Sequence, residues 1–384
     1  MKKVGMAVCY DTKNFGSQLQ VFATLKKVEE SGCEAEIIRY HKKITPTFIL
    51  QTIPRLFNVS FLRSKLSGNE RDKKLKQKPE LMNQVKQRNL RFDRFVEKYF
   101  SDYFSELYNG WETLVKKCAV NYDIFLCGSD QLWLPNNLGS HFYTLEFAPG
   151  NKSKIAYATS FGVSQIPERQ KKATSKYLNR FQFLSTRELS GQKIIRELTG
   201  KNANVVCDPT LLFNAEEWAQ MIPKRRIIEE PYVFCYFLGT NEEHRNAANE
   251  FKKRTGLKLV TCPYLDNFVE IDQQFGDIQM FDMDAVDFVN LIRYADYILT
   301  DSFHGSVFSI LHHKKFMTFN RFNAGTNSRN SRIDSLCTLL GLSERRFNGN
   351  IMDVKNNIDY IGVEERLSVL RKESLEYLTT ALKR

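Results

Sequence analysis

At 384 residues the chain exceeds what one hydrophobic core usually serves, so two domains are expected, and its 42% hydrophobic and 26% charged residues exclude a disordered or fibrous class. No apolar run approaches the roughly 20 residues that span a bilayer, and the short run after Met-Lys-Lys gives way at once to polar DTKN, so it reads as a buried first strand and not a secretion signal. The net charge of +12 is uneven: residues 41–100 hold fifteen Lys and Arg against five Asp and Glu, leaving only +2 elsewhere, which argues against a whole-surface nucleic-acid binder and for one local basic face.

In chain order, apolar runs at 4–10, 34–40, 122–127, 154–159 and 181–186 predict strands. Helix-period stretches at 17–31, 167–180 and 188–198 separate or follow them. The alternation specifies βαβ units and a parallel sheet. The polar stretch 223–231, bracketed by Pro223 and Pro231, reads as a linker. A second series follows, with strands at 232–238, 257–261, 297–300 and 316–319 and helices at 241–255, 284–294, 303–312 and 332–340. The expected fold is therefore α/β and GT-B-like, with two Rossmann-like parallel-sheet domains facing a central cleft. The expected division is an N-terminal domain over 1–222 on the acceptor side, a C-terminal domain over 232–350 on the donor side, and a last helix in 351–384 packing back. Only 41–100 breaks the alternation: a Pro-interrupted apolar stretch, the run RDKKLKQK, and a helix patterned on Leu90, Phe92, Phe95 and Tyr99. Eight scattered cysteines, without CxxC or a nearby zinc-type histidine, read as buried thiols of a reducing compartment.

Chemistry concentrates where strands end. At TDSFHGSVFSI a strand runs into Asp301 and Ser302, which suit a helix N-cap. The helix N-terminus behind them favours an anion. Gly305 permits close backbone approach, and Phe303 and His304 sit in the first turn; the imidazole suits phosphate donation or proton transfer. A cap followed by a surface histidine is the plainer alternative. At YDIFLCGSDQLW a strand presents Ser129, Asp130, Gln131 and Trp133 at its carboxyl edge, where ligands of open α/β sheets bind. There Asp130 is a candidate base toward a sugar hydroxyl, and Trp133 a stacking platform or a core residue. YATSFG supplies Ser160, and STRE places Arg187 just past a strand end, where it holds a carboxylate or phosphate, or pairs with a nearby acid. The loop YDTKNFGSQLQ offers Asn14, Gly16, Ser17 and Gln20, without a dinucleotide or P-loop glycine pattern.

Taken in order, NFGSQLQ, YDIFLCGSDQLW, KIAYATSFG, STRE, DPTLLF, ADYILTDSFHGSVFSI and NSRIDSLCTLLGL resemble the polysaccharide pyruvyl transferase family over nearly the whole chain outside 41–100. The resemblance implies a metal-independent enzyme without cofactor, with phosphoenolpyruvate as donor, a hexose hydroxyl pair as acceptor and a cyclic pyruvate ketal as product. It maps donor binding onto Arg187 and onto Ser302-Phe303-His304, with Ser302 standing where the family carries arginine. Lys315, Arg329 or Arg332 is then expected to supply the missing charge. The expected catalytic set is His304, Asp130 and Arg187. A GT-B glycosyltransferase using a nucleotide sugar is the alternative on the same architecture. Segment 44–78 reads either as a solvated arm or as a foot on an anionic membrane, which would suit a lipid-linked acceptor at the cytoplasmic face. No nucleic-acid partner is expected.

Overall fold

The computed structural model describes residues 1–43, 77–137, 141–265, 269–322 and 330–384. Arg329 and nearly all of the 44–78 segment, two of the sequence expectations, lie outside the described residues.

The first half is a seven-stranded sheet in the order β3-β2-β1-β4-β5-β6-β7. Its strands are β1 (Lys3–Ala7), β2 (Glu34–His41), β3 (Phe104–Asn109), β4 (Ile124–Asp130), β5 (Ser153–Thr159), β6 (Phe183–Thr186) and β7 (Asn204–Val205). Every pairing in it is parallel. The central strands are apolar on both sides because helices cover both faces, which is why they read as continuous hydrophobic runs. The helices of this half are α1 (Phe15–Glu30), α2 (Pro79–Phe100), α3 (Glu168–Leu178), α4 (Leu189–Thr199) and α5 (Ala215–Met221). The second half is a five-stranded parallel sheet ordered β10-β9-β8-β11-β12. It comprises β8 (Tyr232–Tyr236), α6 (Glu242–Thr255), β9 (Lys258–Thr261), β10 (Ile278–Gln279), α7 (Ala285–Tyr294), β11 (Tyr297–Thr300), α8 (Phe303–Leu311), β12 (Lys315–Thr318) and α9 (Ser331–Leu340).

In each sheet the strand order reverses once, between β1 and β4 in the first and between β8 and β11 in the second. These reversals open the crevices at the carboxyl edges where α/β ligands bind. The two halves share core: the ring of Phe15 on α1 stacks at 5.1 Å on Phe288 of α7, and Trp218 of α5 meets Phe308 of α8 at 5.2 Å. Helix α10 (Tyr360–Lys383) starts against the second half, where Arg366 Nε donates to Leu340 O at 2.8 Å. It ends on the first, where Tyr377 Oη donates to Ala156 O at 3.0 Å.

Helix α2 buries Phe92, Phe95 and Phe100, while Leu90, expected on that stripe, is 40% exposed. Arg91 on α2 reaches across to the start of α7, 3.4 Å from Asp282, 3.1 Å from Asp284 and 2.5 Å from Asp287. Among the described residues no disulfide forms, and seven of the eight cysteines are buried.

Candidate active site

The loops at the two reversals converge on one buried cluster of acids, arginines and histidine. Asp130 ends β4 with φ 76, a left-handed conformation uncommon for a side-chain-bearing residue and of a kind that gathers at functional sites. Its Oδ2 accepts a 2.5 Å hydrogen bond from Ser17 Oγ, and its Oδ1 accepts 3.1 Å from Arg187 Nη2 and 2.7 Å from Gln131 N–H. Arg187 Nη1 meets Asp208 Oδ2 at 2.5 Å. The guanidinium thus bridges two carboxylates at 1% side-chain exposure, so of the two readings of its strand-end position it takes the pairing with nearby acids. Burial pushes the Asp130 carboxyl up, but Arg187, His304 and Arg332 outweigh it and hold it far below the usual range. Asp208 behaves alike, with His304 and then Arg187 overcoming desolvation.

His304 enters from the second half. Ser302 caps α8, its Oγ accepting from Gly305 N–H at 3.2 Å, so the cap expectation holds and that backbone donor is occupied. Gly305 packs against Thr300, whose Oγ1 would lie 2.5 Å from a β-carbon there, so the space beside Gly305 is filled by protein. The imidazole Nε2 stands 3.6 Å from Asp208 Oδ2, an electrostatic contact beyond hydrogen-bond length, and has no hydrogen-bond partner. The ring lies on Gly16: a β-carbon there would fall 1.9 Å from Nδ1 and 2.2 Å from Cγ. Gly16 therefore serves the histidine and not a ligand directly, while Asn14 caps α1 by accepting from Ser17 N–H at 3.1 Å.

The ring of Phe303 is shared by two cations, with Arg187 Cζ 4.6 Å and Arg332 Cζ 5.6 Å from its centroid. Arg332 is buried, and among the described residues it has no ion-pair partner; its Nε has no hydrogen bond. Burial and the like charge of Arg187 push its pKa down to about 9, so it remains a cation at neutral pH. Of the two described basic residues expected to supply charge, Arg332 lies inside the cluster. Lys315 does not: it begins β12, at the sheet's amino edge, and its Nζ donates to Lys355 O at 3.0 Å.

Other expected contacts turn out to be internal supports. Trp133 is a core residue, with its indole N–H donating to Tyr143 O at 3.1 Å and rings of Phe161, Tyr177 and Phe181 around it; no face is left for a sugar. Gln20 and Ser129 are fully buried and bond each other, Ser129 N–H donating to Gln20 Oε1 at 3.0 Å. Ser160 donates to Glu188 Oε1 at 2.8 Å, and Phe161 N–H to the same oxygen at 2.9 Å. Burial raises the pKa of Glu188 despite Arg187 nearby. The Gln131 side chain packs against Gly162.

Sequence reasoning missed Asp208 and Asp301 as site residues. Asp208 belongs to DPTLLF, and the signal was its position after a strand, as with Asp130. Asp301 faces away from the helix it precedes: its carboxylate accepts from Leu238 N–H at 2.7 Å and Gly239 N–H at 2.8 Å, with Arg321 Nε 3.6 Å away.

Two parallel-sheet domains whose crevices meet over a shared charged cluster define an α/β protein of the GT-B type. The chain belongs to the polysaccharide pyruvyl transferase family, whose model matches residues 14–321. It is an enzyme of that class, and the family places it with transferases of polysaccharide synthesis. No curated protein is detectably similar to it. Among solved structures, a candidate UDP-N-acetylglucosamine 2-epimerase from Listeria monocytogenes aligns at 12% identity and TM-score 0.50, covering 99% of this chain and 90% of that one. A UDP-GlcNAc 2-epimerase from Neisseria meningitidis aligns at 9% identity and TM-score 0.43, covering 98% and 100%. These likenesses concern the fold.

Proposed function

We propose that the protein transfers the pyruvyl group of phosphoenolpyruvate to two hydroxyls of a hexose, in a surface polysaccharide or its lipid-linked precursor, forming a cyclic ketal. The observation that carries this reading is Arg332, a buried guanidinium sharing the Phe303 ring with Arg187, whose charge is felt by Asp130 and Glu188 but which forms no ion pair among the described residues. A buried unpaired cation is costly unless an anion joins it, and phosphoenolpyruvate brings about three negative charges.

In the proposed reaction a proton adds to C3 of the enol, and a sugar hydroxyl oxygen bonds to C2 while losing its proton. The C2–O bond to phosphate then breaks, phosphate leaves with the electron pair, and the second hydroxyl oxygen bonds to C2 and loses its proton. His304 is the proposed acid, or the group that steadies the departing phosphate; Arg187 and Arg332 offset its charge. Asp130 is the proposed base. In the free protein the arginines make its carboxylate a weak one; an arriving anion that engages Arg332 raises its pKa and with it its basicity. The scheme asks for no metal ion.

His304→Ala is expected to abolish phosphate release from phosphoenolpyruvate with the fold intact by circular dichroism. Arg332→Ala should weaken phosphoenolpyruvate-induced thermal stabilisation by about ten- to a hundredfold in apparent affinity. Near-normal turnover in the first, or stabilisation of the wild type by UDP or CMP sugars and not by phosphoenolpyruvate, would overturn the reading, the latter in favour of a glycosyltransferase.

A further inference from the structure

We propose that a pocket beside His244 binds one uncharged hexose unit of the acceptor; this rests on the acceptor being a carbohydrate, as in the proposed function. The pocket has a volume of about 400 Å³ and lies at the carboxyl edge of the second sheet, beside the reversal between β8 and β11. Its walls come from Asn241, Glu243 and His244 at the start of α6, from Asn320 and Phe322 after β12, and from Phe347. That size falls within the range of about 300–1,000 Å³ of small-molecule sites.

The lining chooses the ligand class. Among the described residues that line it there is no lysine or arginine, and the Glu243 carboxylate opposes phosphate or carboxylate groups. Asn241 Oδ1 accepts from Glu243 N–H at 3.0 Å, which leaves its amide NH2 as a donor. Asn320 uses its Oδ1 toward Arg346, again leaving the NH2. Amide donors beside a carboxylate acceptor match the paired donor and acceptor character of vicinal hydroxyls. Phe322 and Phe347 supply apolar rings for the C–H face of a pyranose.

His244 ties this pocket to the cluster. It is buried, its Nδ1 lacks a hydrogen-bond partner, and that atom stands 3.7 Å from Asp301 Oδ2. Asp301 opens the turn that carries Ser302, Phe303 and His304. A sugar unit held against His244 is therefore linked, through the Asp301 carboxylate, to the turn that carries His304. Part of the acceptor then rests on the C-terminal half, and the N-terminal half alone does not form its site.

The test is saturation-transfer NMR on the full chain with methyl glycosides of glucose, galactose and mannose, with uridine and inorganic phosphate as further probes. Transfer to ring protons of at least one glycoside is expected in the wild type, with affinity about tenfold weaker in Phe322→Ala and in the exposed-site variant Glu243→Ala. Phosphoenolpyruvate-induced thermal stabilisation should persist in both variants. Transfer to no glycoside, equal transfer in wild type and both variants, or binding of uridine or phosphate in place of glycosides overturns the proposal. Glycoside binding that depends on Phe322, in a wild type that phosphoenolpyruvate fails to stabilise, removes the donor reading and leaves this one standing.

Discussion

Gly16 and His304 form a matched pair from opposite halves of the chain, and neither is interpretable alone. A Gly16→Ala methyl would lie 2.7 Å from His304 Cβ as well as against the ring, so rotation about the first side-chain bond cannot clear it. The variant should lose about a hundredfold in phosphate release while destabilising by only about 1–3 kcal/mol, read from turnover and denaturant midpoints. Undiminished turnover would mean the ring's place is immaterial. Trp133 makes the opposite point. With 2% exposure and three aromatic neighbours, Trp133→Ala should cost about 3–5 kcal/mol of stability and leave the affinity for glycosides unchanged in whatever protein still folds. The strand-end position of Trp133 was legible; the side of the sheet it packs on depends on β5 and α3, which no local pattern reports.

Long elements with a single period were legible to within a few residues. Strand β11 and the helices α6, α7 and α8 stand within a residue of where apolar spacing, and for α8 the Ser302 cap, put them. Strand β3 was not anticipated, because FSELYN alternates weakly and pairs only at the sheet's outer edge, with β2. On α2 the expected stripe holds at Phe92, Phe95 and Tyr99 and fails at Leu90, since the edge of a buried stripe is chosen by what packs on it. The clasp of α2 on α7 is testable at this scale. Arg91 is 28% exposed, so solvent screens it, and Arg91→Ala should lower stability by about 1 kcal/mol or less. Hydrogen exchange at the amino end of α7 should quicken, and the difference from wild type should shrink in high salt. Unchanged exchange there would mean that Arg91 does not hold the start of α7.

For the molecule as a whole, the buried cluster sets an acid limit on stability. The carboxyls of Asp130 and Asp208 titrate lower in the folded chain than in the unfolded one, because their cationic neighbours outweigh burial. Their contribution is therefore complete above about pH 4 and is lost as pH falls through the folded values. Glu188, raised by burial, runs the other way and partly offsets it. Wild-type denaturant midpoints should decline below about pH 4, and Asp208→Asn should show a lower midpoint at neutral pH with a shallower acid decline; identical profiles would remove the cluster from the account. The sequence by itself determined the α/β class, the two parallel sheets, the family and the strand-end segments that carry polar residues, because apolar periodicity and chain order are local properties. Only the tertiary structure decided that Arg187 is tied between two acids, that Lys315 stands at the wrong edge, and that Arg332 is a buried cation in the cluster with no ion pair among the described residues. Those outcomes depend on which loops meet when two sheets, far apart in the chain, close over one buried core.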